Sequence, residues 1–140
     1  MMSSDTLEQL ERSLPNGFHD AQIRRISLDY SRRTIVFDMS LWVGDIESTD
    51  KAEREAYQFG ILTVSEFDFC VIVPPDLQYP YQARKALTVS SGPGNPQHVP
   101  FLDDIPADAF AHWFFVREWN SFIYFVARVA SFEMTDPVGK

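Results

Sequence analysis

The side chains that most often carry chemistry at neutral pH are few in this sequence of 140 residues, which contains three histidines and one cysteine. His19, His98 and His112 do not stand at the short spacing of a helical zinc site, and no Cys-x-x-Cys pair is present. Cys70 lies in an apolar stretch without the cationic neighbour or helix N-terminus that makes a thiol reactive. A phosphate-binding loop with its lysine and a Gly-x-Ser-x-Gly motif are also missing from the sequence. We therefore predict no catalytic residue, no metal site and no cofactor.

The dipeptide His19–Asp20 matches the metal-binding pair of helical phosphohydrolases in two letters only. Those enzymes need further His and Asp ligands on surrounding helices, whereas this chain has mainly the pattern of strands. The structural alternative is that the pair closes a turn and hydrogen-bonds to backbone groups at the start of the first strand. Both residues are kept as candidate binding residues.

The tryptophans supply further candidates for a binding surface. Trp42 is out of phase with the apolar face of its strand, and Trp119, followed by Asn120, lies at a predicted turn. An exposed tryptophan is a frequent anchor of a protein interface. The alternative for Trp42 is that it packs beneath the N-terminal helix on the second face of the sheet. Trp42, Trp119 and Asn120 therefore join His19 and Asp20 as candidate binding residues.

The formal net charge of −8 argues against nucleic acid as a ligand, because phosphate contacts need surplus Lys and Arg. Residues 34–83 hold nine acids and two bases, so the acidic character is concentrated there and favours a basic partner. The one basic cluster in the sequence consists of Arg24, Arg25, Arg32 and Arg33. These arginines either bind a phosphate or an acidic protein, or they lie on a solvent-exposed face and form ion pairs with nearby carboxylates.

These candidates must be positioned by one domain spanning residues 1–140, because 45% apolar and 14% aromatic residues suffice for a single core. An apolar face with a cap at Asp5 predicts a short helix that ends before Pro15. Alternation from Ala21 predicts an antiparallel hairpin over residues 26–30 and 35–43, with a bulge near Arg24.

Further along the chain the pattern is again mostly that of strands. Residues 44–55 form a polar loop with room for one helical turn, and residues 57–73 form one bent strand or two. A strand is predicted at 86–91, and the Gly- and Pro-rich stretch 91–96 ends it. A helical turn is predicted at 104–110, followed by strands at 112–117 and 121–132, of which the second lies in the interior of the sheet. The fold class is α+β: six or seven mostly antiparallel strands in a curved sheet or partial barrel, with a short N-terminal helix.

Several short sequence motifs are shared with a known group of domains. The chain resembles small bacterial domains of unknown function that have a Phe-His-Asp-Ala signature before a β-rich body, a group similar to immunity proteins of polymorphic toxin systems. The resemblance implies a bacterial, cytoplasmic protein without assigned enzymatic activity, and it supplies no functional residues. The motifs are Leu14–Ala21, Asp29–Tyr30, Trp42–Asp45, Ile61–Ser65 and Trp119–Ile123.

The first functional hypothesis is a non-enzymatic protein-interaction module, toxin-immunity-like, that binds a basic, toxin-like protein. The alternative is a curved sheet enclosing a small-molecule site, enzyme or carrier, near His19, Asp20 and Trp119. A homodimer through the sheet edges or the aromatic hairpin stays open. The single cysteine indicates a reducing compartment, and we see neither a secretory signal nor a membrane span, so the expected location is the cytoplasm.

Overall fold

A computed structural model describes residues 6–78, 86–93 and 106–135. Predictions that concern Asp5, His98 and the stretches 79–85, 94–105 and 136–140 lie outside these ranges. The described elements are α1 (Thr6–Arg12), β1 (Ala21–Asp29), β2 (Thr34–Trp42), α2 (Lys51–Arg54), β3 (Tyr57–Ser65), β4 (Phe69–Ile72), β5 (Leu87–Pro93), β6 (Phe110–Val116), β7 (Ser121–Ala127) and β8 (Val129–Met134).

The strands form one eight-stranded sheet in the order β4-β7-β6-β5-β1-β2-β3-β8, and every neighbouring pair is antiparallel. The sheet is not closed, and β4 and β8 are its edges. The predicted α+β class, with a mostly antiparallel sheet and a short N-terminal helix, is confirmed. The predicted count of six or seven strands is wrong, because the segment predicted as one strand over residues 121–132 forms two, β7 and β8. Residues 57–73 form two strands, β3 and β4, which is one of the two predicted alternatives. Each of these two segments has a bend between its strands.

The two bends lie side by side. Residues 57–73 bend at Glu66, whose φ of +55° breaks the strand without a glycine or proline. Residues 121–134 bend at Arg128, so β7 is interior whereas β8, predicted to continue the same central strand, is an edge. Because β3 pairs with β8 and β4 pairs with β7, both segments change direction together.

Ion pairs fasten this double bend. The Arg128 guanidinium donates to Asp68 Oδ1 at 2.6 Å and to Asp108 Oδ2 at 2.9 Å. These hydrogen bonds raise the pKa of Arg128 and lower the pKa of the Asp108 carboxyl. Arg33 adds a second cation, 3.5 Å from Asp68, and donates to the Phe67 carbonyl. The bend is therefore held by side chains that are distant in the sequence.

The core fills the concave face of the sheet. Phe37 on β2 lies 5.3 Å from Phe114 on β6 and 5.9 Å from Phe125 on β7, measured between ring centroids. Strands three or four places apart in a flat sheet would be about 14–19 Å apart, so the sheet must curve over itself. Helix α1 adds the fully buried Leu7, as the spacing of its leucines predicts.

The two predicted antiparallel hairpins are confirmed, and the bounds of their strands are partly corrected. β1 and β2 pair as predicted, with a bulge between Ile23 and Arg25. β6 and β7 pair from Phe110–Ala127 to Val116–Ser121 around the turn at residues 117–120. The helical turn expected up to residue 110 is wrong within the described part, because residues 107–108 form a simple turn and β6 begins at 110.

Two smaller expectations also have outcomes. The loop at residues 44–55 does contain one helical turn, which is α2. The strand predicted to end at Ser91 continues for two more residues, because Gly92 and Pro93 still pair with Trp113 and His112. None of the helices in the described ranges is long and apolar enough to cross a membrane.

Candidate interaction site

Three of the five candidate residues meet at one end of the sheet. Antiparallel pairing puts the end of β2 beside the start of β3, with Trp42 opposite Tyr57. The turn before β1 lies at the same end, and the Tyr57 hydroxyl donates to the backbone carbonyl of Asp20 at 3.2 Å. The ring of His19 lies 6.1 Å from the Trp42 ring. His19, Asp20 and Trp42 are therefore brought together, with Tyr57 as a fourth member that the sequence did not single out.

A buried phenylalanine positions this turn. Phe18 is fully buried, and its ring centroid lies 5.7 Å from that of Phe114. Its neighbour His19 consequently points outward, with 63% of its side chain exposed. The Asn16 amide donates to the carbonyls of Trp42 at 3.0 Å and of Gly44 at 2.9 Å. The turn is thus fastened both to the core and to the end of β2.

Asp20 occupies the left-handed region, with a φ of +57°, and its side chain reaches across the end of β5. The carboxylate forms an ion pair with Arg117 in the turn between β6 and β7, and it lies 3.5 Å from His19 Nε2. Both ionic partners are partly exposed, so this pair stabilises the fold by about 0–1 kcal/mol. The Asp20 side chain therefore links the turn before β1 to the turn after β6 through an ion pair, which differs from the backbone hydrogen bonds of the structural alternative.

Trp119 and Asn120 belong to a different contact. The Asn120 amide donates to Asp76 Oδ2 at 3.2 Å, and the Asp76 N–H donates to the Trp119 carbonyl at 2.9 Å. Trp119 is half-buried and packs against the core, and its Nε1 has no hydrogen-bond partner among the described residues. These two residues hold the segment after β4, and no contact between either of them and His19 is found among the described residues.

Trp42 organises the loop at residues 44–55 instead of packing beneath α1. Its indole Nε1 donates to the Arg54 carbonyl at 2.6 Å, while the Arg54 guanidinium donates to the Ser48 carbonyl at 3.1 Å. Backbone hydrogen bonds join Val43 to Ala56 and Asp45 to Glu53. The segment predicted as a solvated loop is therefore internally hydrogen-bonded and attached to the sheet.

This loop exposes one apolar side chain among carboxylates. Ile46 is 72% exposed, and Tyr57 at the start of β3 is 41% exposed. Sequence reasoning missed both residues, although a lone isoleucine within a polar, acidic stretch was a usable signal. Residues 45–55 hold two bases and five acids, and those acids are Asp45, Glu47, Asp50, Glu53 and Glu55.

Gly44 is the position at which the loop attachment is most sensitive to substitution. A Cβ atom there would lie 2.1 Å from the Arg54 carbonyl oxygen and 2.6 Å from Trp42 Nε1. Gly44→Ala is expected to lower the free energy of unfolding by about 1–3 kcal/mol, because the methyl group would separate this donor from its acceptor. Hydrogen exchange of the Trp42 indole proton should accelerate as well. Thr49→Ala, in the exposed part of the same loop, should change neither value, and an unchanged indole exchange rate in Gly44→Ala would contradict this account.

The four arginines of the β1–β2 hairpin do not form one cluster. Arg33 pairs with Asp68 at the bend, and Arg32 lies in the turn of the hairpin. Arg24 and Arg25 lie at the bulge, towards the other end of β1. A single basic patch that grips one phosphate is therefore not present.

The other chemistry-bearing residues in the described ranges are held in unreactive settings. Burial raises the pKa of the Cys70 thiol to about 11, so it is protonated at neutral pH. Within the described parts of the chain, no three His, Cys, Asp or Glu side chains stand close enough together to hold a metal ion. The site at the sheet end therefore consists of aromatic, apolar and acidic contact groups.

Comparison with protein-family models, with curated proteins and with solved structures gave no match to this chain. The resemblance to toxin-immunity domains accordingly stays a prediction from short sequence motifs.

Proposed function

We propose that this protein is a non-enzymatic interaction module that binds a basic protein partner through one end of its sheet. The contact surface, called here the acidic loop surface, consists of residues 45–55 together with His19, Trp42 and Tyr57. The observation that carries the proposal is the exposed Ile46 within a loop of net negative charge that is hydrogen-bonded to the sheet. A protein interface commonly has an apolar contact at its centre and polar groups at its rim, and Ile46 with the carboxylates around it has this arrangement.

The order of the loop supports binding energetically. Association costs free energy for every side chain and loop that it must immobilise. The Trp42–Arg54 hydrogen bond, the Asn16 amide and the Asp50 cap of α2 already fix the loop backbone. Ile46 would therefore be presented to a partner at little conformational cost. The surrounding carboxylates would steer a cationic protein toward it and raise the association rate.

The resemblance to immunity proteins gives this partner an identity, namely a basic protein toxin that the module inhibits in the bacterial cytoplasm. In that case the gene next to the one for this chain should encode a secreted toxin-like protein. The His19–Asp20–Trp119 site of the alternative hypothesis receives less support, since Trp119 contacts the segment after β4.

The test compares three immobilised forms of the full chain: wild type, Ile46→Arg and Leu77→Arg. Leu77 is 97% exposed outside the acidic loop surface, so it is a matched control for adding an arginine. Each form is incubated with the purified product of the neighbouring gene, or with a lysate of the native host. We expect wild type and Leu77→Arg to hold the same basic protein and Ile46→Arg to bind it at least about tenfold more weakly.

Two further outcomes decide the proposal. Charge reversal of Glu47 and Glu55 to lysine should slow association and reduce its dependence on salt. Both substitutions are on exposed side chains, so the melting temperature should stay close to that of wild type. Identical retention of partner proteins by wild type and Ile46→Arg would contradict the proposed surface.

A further inference from the structure

A β-bulge in β1 sends two consecutive arginines to the outer face of the sheet. Ile23 is opposite Met39, and Arg25 is opposite Asp38, so Arg24 is the extra residue without a cross-strand partner. Both arginines are exposed, whereas Ile23 is buried in the core. In a regular strand, neighbouring side chains point to opposite faces. The bulge therefore concentrates two positive charges where the regular alternation would allow one.

These arginines border a cavity of about 360 Å³, called here the bulge cavity. Its volume lies at the lower end of the range of small-molecule sites. Phe59 of the cavity and Tyr57 of the acidic loop surface are two residues apart on β3, so the two sites lie about 7 Å apart where they come nearest. The side chains that define it are those of Arg24, Arg25, Asp38, Phe59, Ile61 and Thr135.

Arg24 is held in place by an aromatic ring. Its guanidinium carbon lies 4.2 Å from the centroid of the Phe59 ring. Contact with a ring face orients an arginine while its N–H groups stay available for hydrogen bonds. This arrangement would reduce the entropy that Arg24 loses when it binds an anion.

Neither bulge arginine has an ion-pair partner within the described ranges. Four other arginines do pair there with carboxylates, namely Arg12, Arg33, Arg117 and Arg128. Even Asp38, directly opposite Arg25 in the register, is not within ion-pair distance of it. Two unpaired guanidinium groups beside one cavity, in a protein with a net charge of −8, form a local site for an anion.

We propose that the bulge cavity binds a small organic monocarboxylate that also carries a hydrogen-bond donor and an apolar side chain, a hydroxy acid or an amino acid. The planar fork of an arginine matches a carboxylate in a bidentate geometry. Asp38 can accept a hydrogen bond from the hydroxyl or amino group, and its charge disfavours a dianion such as phosphate. Ile61 and Phe59 supply apolar surface for the side chain of the ligand.

The test is an NMR titration of the isotope-labelled full chain with 3-phenyllactate as the probe. We expect the signals of Arg24 and Arg25 to shift with a dissociation constant below about 10 mM. 3-Phenylpropanoate, which lacks the hydroxyl group, and inorganic phosphate should each bind at least about fivefold more weakly. Absence of shifts at these residues, or binding of phosphate as tight as that of phenyllactate, would overturn the proposal.

Single substitutions separate a specific site from general attraction to positive charge. Arg24→Gln and Arg25→Gln should each weaken phenyllactate binding about tenfold. Arg32→Gln removes an exposed arginine outside the cavity and should leave the affinity unchanged. Asp38→Asn should bring phosphate affinity closer to that of phenyllactate. An equal loss in Arg32→Gln would show that net charge alone attracts the probe and would refute the site.

Discussion

Replacing Phe125 by alanine is expected to lower the free energy of unfolding by about 3–5 kcal/mol. Phe125 is fully buried on β7, an interior strand between β4 and β6. Its ring lies 5.9 Å from both Phe37 and Phe114, which come from the two facing parts of the curved sheet. Truncation would leave a cavity where these parts meet, and the large surrounding rings cannot collapse into it without losing contacts of their own.

Urea unfolding monitored by circular dichroism measures this loss. Ile123→Ala, at a fully buried position two residues earlier on β7, should cost about 2–5 kcal/mol for the same reason. Leu77→Ala removes an almost fully exposed side chain and should stay within about 0.5 kcal/mol of wild type. A domain of this size has about 5–15 kcal/mol of stability, so either core variant approaches the unfolding threshold. Negligible midpoint shifts in both core variants would mean that β7 is not interior.

The local parts of this fold could be predicted because they follow from residue periodicity. The β1–β2 and β6–β7 hairpins each join consecutive strands across a short turn, so alternation and turn residues are sufficient to identify them. The pattern of residues 57–73 allows the bend at Glu66 but leaves one strand or two open, and the bend at Arg128 has no local signal. Their position depends on Asp68 and Asp108, which bind the Arg128 side chain only after the sheet has formed.

The residues of the candidate site could be predicted in part, as the fold could: their types were identified from the sequence, but their arrangement in space was not. Trp42 and His19 were identified by residue type and phase, and both lie at the sheet end. The turn that holds His19 and the turn that holds Trp119 lie on opposite sides of β5, which pairs with both β1 and β6, and the Asp20–Arg117 ion pair joins them. Pairing between strands that are distant in the sequence is set by the whole core, and no short pattern encodes it.

A histidine inside the core gives the second large expected effect. His112 is 1% exposed on the inner face of β6, and its ring centroid lies 5.6 Å from that of Phe114. Its Nε2 has no hydrogen-bond partner among the described residues. The nearest carboxylate oxygen, Glu11 Oε1, is 3.9 Å away, which is too far for a hydrogen bond. The other oxygen of Glu11 accepts from the Ser91 hydroxyl at 2.9 Å.

Burial lowers the pKa of His112 to about 3 from its ordinary value of 6.5. The imidazole is therefore neutral at neutral pH, and its contact with Glu11 is not an ion pair there. In the unfolded chain the same side chain binds a proton near pH 6.5. Between these two values the unfolded state holds more protons than the folded state, so the free energy of unfolding must fall as the pH falls.

We expect wild-type protein to lose about 2 kcal/mol of stability between pH 6.5 and about pH 5 from this one group, since each pKa unit corresponds to about 1.4 kcal/mol. His112→Leu should abolish this part of the pH dependence, whatever its effect on stability at neutral pH. His19→Gln removes a histidine that is 63% exposed and should keep the wild-type slope. Urea unfolding of the three proteins at several pH values separates the contributions, because the carboxylates titrate in all of them. A wild-type slope in His112→Leu would show that the core accommodates the charged imidazole, and in that case Glu11, 3.9 Å away, would be its counter-ion.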